Sequence, residues 1–433
     1  AGNVTVRAKE MTLLDATQID VSVLGDGDAS DSIIDIKVEN ALTIAGQHPT
    51  NTMIISGIAS FSESQKPGSS GNSGSLNIEA GKISLLNAGG ILSGTTGSGN
   101  AGDINLTAKE ELIMSGTVQV VDDPFEDSVI ALLPWASGIM AASTPIYVEG
   151  SSQGSSGNIE VEARKIIIRN GAQIANFSSS KDSGGTIKIT AEEIITEGQD
   201  LVKWDSPDGP QELLFKSGIN SSSLSSESWA GNAGNITIIA DKITVKDNAE
   251  ITTQTANAAG GDINITVPEL LYVKGGTIST SANGGEGDGG NINIDNPIFI
   301  ALNNGQIKAQ ADAGHGGNIN LKTENLIQST DSLISASSRL GLDGNIKIES
   351  PDLDMEGFLV VLSDDVVEAS SLIQKPCRMR GSSFTVQKIN GSPQTPYDYQ
   401  PSQYLPETDN TQTTTTSKNV NKKIASSSGN CSL

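Results

Sequence analysis

The sequence predicts an all-β fold, a right-handed parallel β-helix (solenoid) of about eleven or more coils with loop insertions. Three observations carry this. First, a short phrase, Gly then a turn residue then aliphatic–polar–aliphatic, recurs along the chain: Gly234-Asn235-Ile236-Thr237-Ile238, Gly261-Asp262-Ile263-Asn264-Ile265, Gly290-Asn291-Ile292-Asn293-Ile294, Gly317-Asn318-Ile319-Asn320-Leu321 and Gly344-Asn345-Ile346-Lys347-Ile348. Earlier copies begin at Gly2, Gly74, Gly102, Gly157 and Gly185, with a degenerate one at Ser32-Ile33-Ile34-Asp35-Ile36. Second, successive copies are spaced by 30, 42, 28, 55, 28, 49, 27, 29, 27 and 27 residues, and a fixed period in this range marks a stacked array. Third, the phrase alternates with period 2, one face buried and one wet, which is strand and not helix periodicity.

The first strand of each coil is therefore the phrase itself, with aliphatic pairs such as Val4/Val6, Ile104/Leu106 and Ile187/Ile189 around a polar centre (Thr5, Asn105, Lys188). A second aliphatic strand follows, as in Leu112-Ile113-Met114, Ile166-Ile167-Ile168 and Ile243-Thr244-Val245. A third comes after a turn, as in Ala172-Gln173-Ile174-Ala175 and Ala249-Glu250-Ile251-Thr252-Thr253. Three strands and three turns form one coil, stacked on the next at ~4.8 Å, so that eleven coils give a rod of ~50 Å. Right-handedness follows the general preference of parallel crossovers. The Gly that opens each phrase is expected to supply a positive-φ corner, and the Asn or Asp after it to bond locally or to stack in ladders along the coil edge.

Three coils are longer, and their extra residues enter after the second strand and close on one tripeptide: Ser56-Gly57-Ile58, Ser137-Gly138-Ile139 and Ser217-Gly218-Ile219. Insertions at 46–56, 117–137 and 199–217 thus leave from one edge, roughly every second coil. Loops on a rigid scaffold are where binding usually resides. They carry the candidate ligand-binding residues Trp135, Trp204, Phe125, Phe215, Asp122, Asp123, Asp205 and Asp208, with Trp229 just outside. The competing reading is that these loops fold onto the flank and bury their own aromatics.

The pattern lapses after Ser350. This divides the chain into repeats over 1–350, a C-terminal cap over 351–389 with apolar runs such as Phe358-Leu359-Val360-Val361-Leu362, and a disordered Pro-, Thr- and Ser-rich tail over 390–433. The start at Ala1-Gly2-Asn3, inside a repeat, reads as a fragment or processed product.

Composition narrows the function classes. A formal net charge of −24 and the lack of a long basic cluster argue against nucleic acid. No run approaches the ~18 apolar residues of a transmembrane helix. Two cysteines, Cys377 and Cys431, allow at most one bridge. The only histidines, His48 and His315, are far apart, which argues against a Ser-His-Asp or His-metal site. Glu160, Glu162 and Lys188 read as a solvated charge ladder. Gly284-Gly285-Glu286-Gly287-Asp288-Gly289 reads as a glycine turn, and Gly25-Asp26-Gly27-Asp28-Ala29-Ser30-Asp31 lacks the closing Glu of an EF-hand. Leu405-Pro406-Glu407-Thr408-Asp409 is similar to a sortase signal only by chance. The expected cofactor, metal and catalytic sets are none.

The coils, the phrase Asn170-Gly171-Ala172-Gln173-Ile174 and the segment Cys377-Arg378-Met379-Arg380-Gly381-Ser382-Ser383-Phe384-Thr385-Val386 together resemble filamentous-haemagglutinin-like exoproteins of two-partner secretion, in particular the C-terminal part of cyanobacterial members. The resemblance spans about residues 1–390. It implies export through an outer-membrane β-barrel secretion partner, a secreted or cell-surface location, and an adhesive rod in contact with glycans or cell surfaces. The family's Asn-Pro-rich secretion domain is not in this sequence. Some adhesins of this type keep a C-terminal cysteine loop, which Cys377 and Cys431 resemble as a candidate disulfide. The leading expectation is a non-catalytic adhesin-like rod. The alternatives are a carbohydrate-active β-helix enzyme using insertion-loop carboxylates and a structural sheath component.

Overall fold

Strand Ile159–Arg169 shows how the repeat becomes structure. Its inward residues Ile159, Val161, Ala163, Ile166 and Ile168 are buried, and it pairs in parallel, in step, with the coil before (Ile159↔Ile104, Ile166↔Leu112) and the coil after (Ile159↔Ile187, Ile166↔Ile194). Like residues therefore stack on like residues, as an array of similar coils requires.

The protein is described here by a computed structural model, covering residues 2–24, 26–48, 54–63, 70–118, 136–144, 153–206 and 209–350, with the backbone alone at 204–206 and 209–210. Contacts divide the chain into Ala1–Asp354 and Met355–Leu433. The second unit, and with it the expected cap, tail, Cys377 and Cys431, lies outside the described residues. Among the described residues there is no helix.

Two parallel sheets make the fold. The larger stacks eleven strands that begin at the eleven sequence copies: Val4–Leu14, Ile33–Ala45, Ser75–Leu86, Ile104–Ser115, Ile159–Arg169, Ile187–Glu197, Ile236–Lys246, Ile263–Thr266, Ile292–Asp295, Ile319–Lys322 and Ile346–Glu349. The smaller stacks the third strand of each coil, from Gln18–Asp20 through Gly57–Glu63, Gly90–Thr95, Gly138–Ser143, Gln173–Ser178, Gly218–Ser223, Glu250–Thr255, Thr277–Ala282 and Gln306–Ala311 to Leu333–Ser335. One hydrophobic core runs between them from Leu13 to Ala336, dominated by isoleucine. The chain is a parallel β-helix, as the repeat predicts.

The two aliphatic segments of each coil form one continuous strand in the first seven coils. The strand turns a corner where two successive residues, such as Arg164 and Lys165, both face outward after buried Ala163. In later coils Pro268 and Pro297 stand at that corner, and without an N–H they cannot continue the ladder. The second segments there are separate strands, Leu270–Lys274, Phe299–Asn303 and Asn325–Gln328, paired in the same sheet.

The structure corrects the reading of the repeat glycine. Positive φ occurs at none of Gly102, Gly157, Gly185, Gly234, Gly261, Gly290, Gly317 or Gly344. What these positions lack is room. A Cβ built on Gly261 would lie 2.1 Å from the carbonyl oxygen of Gly234, and one on Gly290 would lie 2.1 Å from that of Gly261. Each glycine packs on the glycine below it, and the tight corner holds a second, polar device. The side-chain oxygen of the next residue accepts the backbone N–H of the equivalent residue one coil on: Asp262 to Asn235 (2.8 Å), Asn291 to Asp262 (2.7 Å), Asn318 to Asn291 (3.0 Å) and Asn345 to Asn318 (3.0 Å). Inside the corner, buried hydroxyls complete the pairing. Gly74 donates its N–H to Ser60 Oγ (2.8 Å), and Thr253 Oγ1 donates to the Gly261 carbonyl (2.6 Å). The expected ladder of turn residues is thus present, and the glycine serves it by absence of a side chain.

Two substitutions separate these causes. Gly261→Ala should lower stability by about 3 kcal/mol, since a coil must shift to admit the methyl. Gly2→Ala, where nothing lies within 4 Å, should leave the thermal midpoint unchanged. Equal midpoints by circular dichroism for both variants would refute the packing account.

Candidate functional site

The insertion edge is built from a turn that takes two forms. In the first, third, fifth and seventh coils the second and third strands are joined by a short left-handed turn at Asp15-Ala16, Asn87-Ala88, Asn170-Gly171 and Asp247-Asn248, all at positive φ. In the second, fourth and sixth coils a glycine at positive φ, Gly46 (86°), Gly116 (93°) or Gly198 (75°), leads into the insertion instead. Decorated and plain coils therefore alternate strictly over the first seven.

The closing Ser of each insertion explains the repeated Ser-Gly-Ile. Ser56, Ser137 and Ser217 are fully buried, and each donates its N–H to the glycine that opened the loop (Gly46 2.9 Å, Gly116 2.9 Å, Gly198 3.0 Å). Each hydroxyl also accepts an N–H from the plain turn of the preceding coil: Ala16 to Ser56 (3.0 Å), Ala88 to Ser137 (2.8 Å) and Gly171 to Ser217 (2.9 Å). One side chain thus closes the loop base and ties it to the neighbouring coil.

Above these bases the described residues Ile55, Val118, Val202 and Phe215 of the insertions lie on the outer face of the smaller sheet. Bridges Gln47↔Ile55 and Thr117↔Ala136 start the first two antiparallel, and the third is a hairpin, Gln199–Ser206 with Gly209–Lys216. Ile55, Val118 and Val202 from the insertions pack with Ala59, Leu92, Met140, Ala142 and Ala175 from the sheet, and Phe61, Phe177 and Phe215 pack against them. The second and third insertions also meet over the plain turn between them, where Thr117 Oγ1 donates to the Asp200 carboxylate at 2.7 Å. Gly171 fits beneath, its Cα facing Thr117, Asp200 and Phe215.

Of the expected edge residues, Phe215 is half-buried against this flank cluster. Trp204 and Asp205 occupy hairpin backbone positions opposite Gln211 and Pro210. Trp135, Phe125, Asp122, Asp123 and Asp208 lie outside the described residues. The structure adds Thr117, Asp200 and the flank residues Phe61, Met140 and Phe177. Their signal was present in the third strands, whose outward positions are apolar in the second to fifth coils (Ala59, Leu92, Met140, Ala175) and polar later (Thr252, Ser279, Lys308).

Titratable groups mostly sit in exposed ladders between coils. Lys188 reaches Glu160 at 2.7 Å, and Lys165 reaches Glu193 at 2.7 Å. His315 Nδ1 lies 3.1 Å from Asp288, one coil below it, on the exposed glycine loop. In the acidic loop the oxygens of Asp28 take the N–H of Ser30 (3.0 Å), the amide of Asn72 (3.2 Å) and the hydroxyl of Ser30 (3.1 Å), which hold its carboxyl below the usual range. Among the described residues no three His, Cys, Asp or Glu converge as a metal site.

No protein-family model, curated protein or solved structure matches this chain.

Removing the tie should loosen the edge. Ser217→Ala leaves the Gly171 N–H without its acceptor and should cost about 1–3 kcal/mol. Hydrogen exchange should quicken at Gly171 and along the hairpin, and unchanged protection there would refute the role. Glu79, held between Lys109 (2.8 Å) and Lys37 (3.1 Å), has its carboxyl lowered chiefly by the hydrogen bond from Lys109. Because the folded value is depressed, this stabilisation is present above the ordinary 4.5 and is lost as pH falls through the lowered value. Glu79 is about a third exposed, so Glu79→Gln should cost under ~1 kcal/mol at neutral pH, shrinking to nothing in acid melts.

Proposed function

We propose that this chain is a β-helical adhesin-like rod, secreted or surface-exposed and non-catalytic, that meets glycans or cell surfaces through the insertion edge. The observation that carries the reading is the strict alternation of plain and decorated coils, with the three loop bases pinned to an in-register stack by Ser56, Ser137 and Ser217. A scaffold that fixes successive loops in one row suits repeated weak contacts, whose avidity multiplies when several engage together. The flank cluster supports it further, since a braced loop loses less conformational freedom on binding. The resemblance to filamentous-haemagglutinin-like exoproteins points the same way and adds export through an outer-membrane β-barrel partner. Charged side chains paired into exposed ladders favour a contact surface over a reaction centre.

Replacing 199–217 by a two-residue turn like Asn170-Gly171 should preserve the β-helix and weaken binding to cells or arrayed glycans at least tenfold. Undiminished binding would refute the edge. Release of sugar products by the unaltered chain would install an enzyme in its place.

A further inference from the structure

Away from the insertions, a second surface lies on the larger sheet. Of the four described phenylalanines, Phe61, Phe177 and Phe215 pack in the flank cluster. Tyr272 and Phe299 instead face outward from adjacent strands, Leu270–Lys274 and Phe299–Asn303. Phe299 is 42% exposed, and neighbouring Ile327 is 58% exposed. The register makes these residues one patch, because Leu270 stacks under Phe299 and Tyr272, Ala301 and Ile327 form a single column.

Ala301 makes that column uneven. Its short side chain lies between the larger Tyr272 below and Ile327 above, while Phe299 and Asn303 flank it on its own strand. Register and side-chain size thus put a low point, a notch, at Ala301, bordered by Tyr272, Ile327 and Phe299 and on the fourth side by Asn303. Lys274 stands beside Tyr272 on the same strand face, directly under Asn303. Its neighbours in the sheet are already paired: Lys242 with Glu269 (2.9 Å) and Lys246 with Glu197. Lys274 is exposed and, among the described residues, has no ion pair.

We infer that this notch binds an acidic sugar unit of a glycan. Aromatic rings accept the C–H faces of a pyranose, the Asn303 amide can both donate to and accept from hydroxyls, and the unpaired Lys274 ammonium complements a carboxylate. The size of the patch favours this occupant over a protein. Five residues along the strand and three rungs across it cover roughly 15 by 10 Å, well short of the ~800 Å² that a stable protein interface buries on each partner. Lys274, exposed and with no ion pair among the described residues, leaves its ammonium free to meet an anionic group beside the notch. The inference rests on the surface-contact reading only in taking a glycan as the ligand, and it assigns that ligand to a different face from the insertions.

The test is binding of the full chain to an oligogalacturonate and to a neutral galacto-oligosaccharide of equal length, by titration calorimetry. The acidic oligosaccharide should bind more tightly, and the difference should shrink with added salt. Tyr272→Ala and Phe299→Ala should each weaken binding roughly three- to tenfold. Lys274→Gln should bring the acidic oligosaccharide down to the neutral one. These side chains face solvent, so thermal melts should match the unaltered protein. The chain with 199–217 shortened should bind both oligosaccharides as before. Absence of binding by the unaltered chain, or indifference to all three substitutions, would overturn the inference. So would loss confined to the shortened-loop variant, which would leave the insertion edge standing. Self-association abolished by Phe299→Ala would give the patch to a second copy and also refute it.

Discussion

The structure depends on a corner with no room in it. From the fourth coil onward the backbone at the start of each coil descends onto the glycine carbonyl of the coil below, so closely that a single added carbon would collide with it. That approach lets one Asn or Asp side chain reach up and take the next coil's amide, which holds the ladder together where the chain bends. Were the corner wider, these bonds would lengthen and the isoleucine columns of the two sheets would lose their common register. Side-chain volume, hydrogen bonding and core packing are therefore settled at the same place.

The rest of the coil tolerates far more variation. The corner between first and second strands is a continuous bend in early coils and a proline break in later ones, yet the sheet continues through both. The turn before the third strand accepts two residues or some twenty, because what fixes its ends is local: a positive-φ glycine, a buried serine and an isoleucine in the core. Variation is confined to where the ladder does not depend on it, and the surfaces offered for contact sit there.

Much of this was legible in the sequence because the determinants repeat. The alternation around Ile236 and Ile238 or Ile263 and Ile265 gives the strands, and their spacing gives the stack. The meaning of Gly261 was less legible, since a glycine needed for φ and one needed for clearance look alike until the atom it must clear is known. Ser56, Ser137 and Ser217 could be read as markers of a shared anchor, but not as hydrogen-bond acceptors, because the donors lie about forty to fifty residues earlier. The flank cluster escaped for a related reason: Phe61, Met140 and Phe177 occupy positions that a two-faced strand assigns to solvent, and only the insertions make them interior. The Tyr272 and Phe299 patch was hidden by the same logic, since two residues 27 apart in a mostly polar stretch become neighbours only through register.

The alternation of plain and decorated coils has a steric consequence. Rungs are spaced at ~4.8 Å, whereas a chain that leaves the stack and returns as an antiparallel pair is itself two strands wide, or ~10 Å with its side chains. Two such excursions on neighbouring rungs would compete for the same volume, and the contact of Thr117 with Asp200 across one plain turn shows them already touching at two-rung separation. The edge is thus filled to its geometric capacity over these coils. Lengthening the plain turn at Asn170-Gly171 would demand that an existing loop be displaced, so growth of this surface has to proceed along the axis, two coils at a time.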